Sequence, residues 1–129
     1  MQDQPKPSEI IGAVAAFLKA VVAAETTGAT SFQARVAANA LEICKRDLDN
    51  SPGDDFAETE RLKGLLGHGG PLLELNADLS AKIEAGEIDL ATPGLKEHLW
   101  ATTLAKLAVD QPTYAAYRAS LAERGGAKD

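Results

Sequence analysis

The chain has 129 residues, of which 45 % are apolar but only 5 % aromatic, and its formal net charge at pH 7 is −6. Its longest basic run is the pair Lys45-Arg46, so the cationic surface with which proteins neutralise nucleic-acid phosphates or anionic membranes is missing. Ala and Leu dominate the apolar residues, a composition that favours close helix packing over β-sandwich cores. We therefore expect an all-α protein and exclude nucleic acid and membranes as partners.

The N-terminal stretch predicts a flexible arm over residues 1–7 and then a first helix, which Ser8 caps and which continues to about Ala24. This helix is apolar nearly all round, as is typical of a buried central helix. A secretory signal is the alternative, but Lys19 interrupts the apolar stretch, and a membrane span needs about 20 apolar residues. The only cysteine, Cys44, falls on an apolar helix face as a buried thiol, so we expect a reducing compartment and hence the cytoplasm.

A second helix is predicted from the capping pair Thr30 and Gln33 to Asp49. Its expected core face consists of Phe32, Val36, Ala37, Ala40, Leu41, Ile43, Cys44 and Leu48. The run Asn50-Ser51-Pro52-Gly53 predicts a turn. A third helix follows, capped by Asp54 or Asp55 and ended by Gly67.

Three more helices are predicted in the second half of the chain. Pro71 begins a fourth helix, and Gly86 is expected to end it in the left-handed conformation. Thr92-Pro93 begin a fifth helix. The apolar residues that mark the last three helices are Leu72, Leu75, Leu79, Ile83, Leu95, Leu99, Trp100, Leu104, Leu107, Tyr114, Tyr117 and Leu121. Short connections predict a single domain over residues 1–129, a bundle of five to six mostly antiparallel helices with a second flexible end at residues 125–129.

Two segments set polar side chains into otherwise apolar helices. Arg35 and Asn39 lie at the border of the second helix's apolar arc, and Lys106 and Asp110 share a face of the fifth helix. Burying any of these side chains in a core without a partner would destabilise the fold by several kcal/mol. These groups must therefore pair with one another, reach water or contact a ligand. We interpret them first as a purely structural network that sets the specificity of the bundle. The alternative is a small polar pocket in which Arg35 and Lys106 receive a carboxylate or phosphate.

No other part of the sequence forms a recognisable catalytic constellation. His68 is interpreted as a loop histidine and His98 as a helix-surface histidine, since neither has a second ligand at metal-binding spacing. Trp100, Tyr114 and Tyr117 suit core packing, and a partner-binding patch is the alternative. We expect no catalytic residue, no metal and no cofactor.

The segments Arg-Val-Ala-Ala-Asn-Ala-Leu at 35–41 and Thr-Thr-Leu-Ala-Lys-Leu-Ala-Val-Asp-Gln-Pro at 102–112 resemble the hallmark segments of a bacterial family of small helical domains of unknown function. The likeness extends to Leu73-Glu74-Leu75-Asn76 and to Tyr114. Members of that family are often encoded beside, or fused to, kinases that resemble aminoglycoside phosphotransferases, in neighbourhoods with acyl-CoA dehydrogenases. The resemblance implies an accessory role near acyl-CoA metabolism and supplies no catalytic residue.

Three hypotheses follow from these patterns. The first is a non-catalytic partner of a kinase-like phosphotransferase or an acyl-CoA dehydrogenase, bound through exposed residues of the last two helices. The second is a small-molecule binding domain, or an unrecognised small enzyme, that holds an anionic acyl or phosphate ligand at Arg35, Asn39, Lys106 and Asp110. The third is a homodimer whose helices stabilise each other.

Overall fold

The computed structural model of the chain describes residues 3–126, so the outermost residues of the two predicted flexible ends, 1, 2 and 127–129, lie outside the described residues. No strand occurs between residues 3 and 126, and the predicted all-α fold is confirmed. The helices in chain order are α1 (Pro7–Phe17), a π-helical turn (Leu18–Val22), α2 (Ala23–Glu25), α3 (Gly28–Leu66), α4 (Leu72–Glu84), α5 (Leu95–Asp110) and α6 (Ala115–Gly126).

Helix α3 contradicts the predicted turn at Asn50-Ser51-Pro52-Gly53. It is 39 residues long and contains Pro52 in its interior, so the predicted second and third helices form one helix. An interior proline removes one backbone hydrogen bond and costs about 3 kcal/mol relative to alanine. Pro52 is exposed, which lets water bond the carbonyl group that the proline leaves without a donor.

The chain divides into two compact units, Met1–Asn50 and Ser51–Asp129, and the division falls inside α3. Each unit has its own packing. The single domain over residues 1–129 stays a prediction.

In the first unit, α1 with its π-helical turn runs antiparallel to the first part of α3. The residues in contact follow opposite orders along the two segments: Ser8 with Asp49, Gly12 with Lys45, Lys19 with Glu42, and Ala23 with Ser31. Lys19 Nζ lies 2.8 Å from Glu42 Oε1, and Ser31 Oγ donates to the Ala23 carbonyl oxygen at 2.7 Å. This pairing agrees with the antiparallel neighbours expected from short connections.

Small side chains fill the interior of the first unit. Its buried residues are Ser8, Ala15, Ala23, Ser31, Ala34 and Ala38. Such residues let two helix backbones approach closely, and the larger apolar side chains then point away from the contact. The predicted core face of the second helix is therefore wrong for its largest members, because Phe32, Val36, Ile43, Cys44 and Leu48 are exposed.

The expectation that the first helix is buried is also wrong. Only 17 % of the apolar stretch between Pro7 and Glu25 is buried. Within residues 3–126 this is the one helix long and apolar enough to cross a membrane, by length and composition alone, and core helices and signal sequences share that property. Helix α1 instead exposes a stripe of large side chains, Ile10, Val14 and Phe17.

Leucine side chains form the core of the second unit. Buried Leu62, Leu75, Leu79, Ile88 and Leu95 pack together, joined by the partly buried Leu65, Leu66 and Leu72. The leucines all lie within or next to helices that the sequence predicted, whereas Ile88 lies between α4 and α5. Gly67 and Gly86 follow α3 and α4 with φ of 77° and 74°, the left-handed conformation that ends helices and that glycine adopts without strain.

Candidate functional site

A largely buried polar cluster lies beside the leucine core of the second unit. It consists of Glu58 and Arg61 on α3, Asn76 on α4, and His98 and Thr102 on α5. Asn76 Nδ2 donates to Glu58 Oε1 at 2.8 Å, and Arg61 Nη2 donates to Thr102 Oγ1 at 3.3 Å. Polar contacts therefore join α3 to both of its neighbours in this unit.

Helical spacing places these polar groups next to the core. Arg61 follows Glu58 by three residues and precedes Leu65 by four, so all three share one side of α3. On α5, His98 lies three residues after buried Leu95 and four before Thr102. The same helix faces that supply the leucines thus also supply the cluster.

His98 is only 2 % exposed, so its prediction as a helix-surface histidine is wrong. Burial lowers the pKa of His98, the positive charge of Arg61 lowers it further, and Glu58 opposes both effects. The imidazole is therefore neutral at pH 7. Burial is possible because the neutral ring loses far less hydration than an imidazolium would.

Two nitrogen atoms of the cluster are buried without a hydrogen-bond partner among the described residues, Arg61 Nε and His98 Nδ1. A buried donor or acceptor without a partner costs about 1–3 kcal/mol. Native proteins contain few such atoms, and an absent water, ion or ligand is a common reason for one. Both nitrogen atoms are enclosed by the fold, whereas Arg61 as a residue is partly exposed at the neighbouring surface.

That surface holds an open cleft of about 450 Å³, which we call the cationic cleft. It is lined by Arg61, Lys96, Glu97, Trp100, Ala101 and Arg124. The four α5 residues have the spacing i, i+1, i+4 and i+5, which places them on one side of that helix. Trp100 is 47 % exposed, so its predicted core position is wrong and its ring is available to a ligand.

The second histidine, His68, is paired at the surface as a loop residue. Its Nε2 lies 2.7 Å from Asp78 Oδ2. The carboxylate of Asp78, and then the Gly69 carbonyl oxygen, raise the pKa of His68. Since the pair lies at the surface and joins the loop residue His68 to Asp78 of α4, we assign it a local structural role.

The four predicted site residues fall into two pairs, one in each unit. Arg35 and Asn39 lie on α3 in the first unit, and Lys106 and Asp110 lie on α5 in the second. All four are exposed, so of the three outcomes considered for them, contact with water is the one observed. A shared pocket of these residues stays a prediction.

An exposed apolar stripe, which we call the α3 stripe, lies beside Arg35 and consists of Phe32, Val36 and Ile43. These three residues are separated by four and seven positions and therefore lie on one side of the helix. Asn39 follows Val36 by three residues and precedes Ile43 by four, so it lies within the stripe. Phe32 is 66 % exposed, and grouped exposed apolar side chains are typical of protein-binding surfaces.

The sequence profile of a domain of unknown function, DUF6285, matches residues 24–114, more than half of the chain. The chain belongs to the DUF6285 family. The predicted resemblance to a family of domains of unknown function is thereby confirmed at that level. The search of curated proteins and the search of solved structures each gave no match.

The DUF6285 region includes the α3 stripe, the polar cluster and most of the cationic cleft. Arg61, Lys96 and Trp100 lie inside the matched residues, whereas Arg124 and the whole of α1 lie outside them. The four predicted site residues are also inside. Both candidate surfaces thus belong mainly to the DUF6285 region.

Sequence reasoning missed the cationic cleft. The available signal was the spacing of Lys96 and Trp100, four residues apart on one helix. That spacing alone does not distinguish a site from an ordinary solvated surface. The positions of Arg61 and Arg124 on two other helices became visible only in the folded chain.

Proposed function

We propose that this DUF6285 protein is a non-catalytic, cytoplasmic accessory protein that binds another protein through the α3 stripe. The observation that carries the proposal is the exposure of Phe32, Val36 and Ile43 on one side of a helix. Soluble proteins seldom leave grouped large apolar side chains uncovered, and such groups mark binding surfaces. Asn39 within the stripe and Arg35 at its edge then provide the polar contacts that orient the partner.

The energy available to a partner on the α3 stripe can be estimated from one side chain. A phenylalanine buries about 150–250 Å² when fully covered. Covering the 66 % of Phe32 that is exposed would contribute about 2–4 kcal/mol at roughly 25 cal/mol per Å². A contribution of this size is typical of a residue that dominates an interface.

The partners we propose are a kinase-like phosphotransferase or an acyl-CoA dehydrogenase, as the family resemblance implies. This choice of partners is supported by the genomic context expected of this family. The partner itself must therefore be identified by experiment. Native affinity purification of the tagged protein from its source cells, followed by mass spectrometry, gives that identity. We expect one of these two enzymes at a near-stoichiometric ratio.

Two variants of α3 make the experiment specific for the stripe. Phe32→Ser removes its largest side chain, and Phe56→Ser removes a side chain of the same type that is 69 % exposed on the same helix. Because both rings are exposed, neither substitution should change the melting temperature appreciably. We expect Phe32→Ser to lose the partner and Phe56→Ser to retain it.

Retention of the partner by Phe32→Ser would show that the α3 stripe is not the binding surface. Absence of any co-purified chain would count against the accessory function itself. A homodimer is a further outcome: light scattering would give twice the chain mass, and the melting temperature would rise with protein concentration. In that case a second copy of the chain covers the stripe, and the accessory proposal fails.

A further inference from the structure

Three cationic side chains and the chain's single tryptophan meet in the cationic cleft of the second unit. Arg61, Lys96 and Arg124 come from three different helices, α3, α5 and α6. One carboxylate, Glu97, is present among the six lining residues. The cleft therefore has an excess of positive charge within a chain whose net charge is −6.

Within residues 3–126, the three cations of the cleft form no direct ion pair, although Glu97 lines the cleft and Glu58 lies one turn before Arg61 on α3. None of the described salt bridges includes Arg61, Lys96 or Arg124. The hydrogen bond of Arg61 Nη2 goes to the neutral hydroxyl of Thr102. The guanidinium thus keeps its charge available for an external anion.

The hydrogen bonding of Arg61 is the second observation. Among the described residues its side chain donates one hydrogen bond, from Nη2 to Thr102 Oγ1 at 3.3 Å, and Arg61 is partly exposed where it lines the cleft. A guanidinium carries five N–H donors in a rigid fork and binds phosphate oxygens through two parallel hydrogen bonds. An anion next to Arg61 would supply acceptors to a side chain that the fold leaves incompletely bonded.

Trp100 indicates that the ligand of the cleft also contains a flat ring. Its ring is about half exposed and lines the same cleft as the three cations. Flat rings stack on exposed aromatic side chains, and such stacking strengthens binding about fivefold to a hundredfold or more per ring. A volume of about 450 Å³ falls within the roughly 300–1,000 Å³ of small-molecule sites.

We propose that the cationic cleft binds a small organic phosphate, such as a nucleoside diphosphate, whose phosphate groups contact Arg61, Lys96 and Arg124 and whose ring stacks on Trp100. The cleft is distinct from the α3 stripe, so the proposal does not depend on a protein partner. It assigns the anionic ligand to residues other than the four predicted from the sequence.

The test uses the single tryptophan as its own reporter. Intrinsic fluorescence of the full chain is titrated at low ionic strength with ADP, pyrophosphate and adenosine, and isothermal calorimetry confirms each affinity. We expect ADP to bind best and to change the emission of Trp100. Pyrophosphate should bind at least about tenfold more weakly than ADP because it lacks the ring. Adenosine should also bind more weakly than ADP because it lacks the phosphate charge.

Variants then localise the binding. Lys96 and Arg124 are exposed, so Lys96→Ala and Arg124→Ala should fold normally and each weaken ADP binding roughly tenfold, the loss of one charge-assisted contact. Arg118→Ala is the matched control: it removes an exposed arginine from the same helix α6 as Arg124, outside the cleft. Its affinity for ADP should equal that of the unaltered chain.

Two results would overturn the proposal. The first is the absence of fluorescence and calorimetric responses to all three probes at millimolar concentration and low salt. The second is binding that survives Lys96→Ala and Arg124→Ala but is lost in Lys106→Ala, since the ligand would then sit at the site predicted from the sequence. Neither result bears on partner capture, so failure here is distinguishable from failure of the accessory function.

Discussion

Truncation of Leu62 tests the core of the second unit and, with it, the support of the cationic cleft. Leu62 is fully buried among leucines from α4 and α5 and directly follows Arg61 in the chain. A leucine-to-alanine change in a packed core costs about 2–5 kcal/mol, because it removes buried methyl groups and leaves a cavity. We expect Leu62→Ala to lose that amount of unfolding free energy.

The matched control is Leu73→Ala on α4. Leu73 is 83 % exposed, so the same chemical change should alter the unfolding free energy by less than about 0.5 kcal/mol. Urea denaturation followed by far-ultraviolet circular dichroism measures both variants. A loss below about 1 kcal/mol for Leu62→Ala, or equal losses in the two variants, would refute the placement of Leu62 in the core.

The same variant also measures how much of the chain unfolds cooperatively. The unfolding entropy near 60 °C is about 2.1 cal/mol/K per residue. If the unit Ser51–Asp129 melts by itself, each kcal/mol of unfolding free energy lost in Leu62→Ala should lower the melting temperature of the unit by about 6 °C. If all 129 residues melt together, the shift should be about 4 °C per kcal/mol. Calorimetry thus tests the single domain predicted from the sequence.

Two further predictions concern His98 and Pro52. The pKa of His98 is lowered in the folded chain below its ordinary value of 6.5. As the pH falls below about 6.5, the unfolded chain therefore binds more protons than the folded chain does. The stability that is present above this pH is lost on acidification. The melting temperature should therefore fall less between about pH 7.5 and pH 5.5 in His98→Leu than in the unaltered chain, and equal slopes would contradict the burial of His98. Pro52→Ala should stabilise the chain by up to about 3 kcal/mol in urea denaturation, because it restores a hydrogen bond inside α3. Destabilisation by Pro52→Ala would instead indicate that the chain turns at this position.

The sequence determined the fold class and the helices that supply the core of the second unit. Leucines recur at helical spacing along these helices, and Leu62, Leu75, Leu79 and Leu95 are the ones that pack together, whereas Leu73 is exposed. Gly67 and Gly86 marked the ends of α3 and α4, because few other residues adopt a left-handed conformation without strain. These signals are local, and each acts within a few residues.

The first unit shows where local signals fail. Periodicity assigned the core face of α3 to Phe32, Val36 and Ile43, yet the helix packs through Ala34 and Ala38. Alanine has little transfer free energy, so its positions are weak predictors of burial even when they allow the closest helix contact. Which side of such a helix is covered depends on the neighbouring helix.

The tertiary structure alone decided the composition of the candidate sites. His98 was expected at the surface and is buried, and Arg61 and Glu58 of another helix, α3, are close enough to act on its pKa. The cationic cleft joins Arg61 to Arg124 across 63 positions of sequence, a separation over which no helical period carries information. Helix content follows from local spacing, whereas the meeting of distant charges follows from packing, and only the folded chain specifies packing.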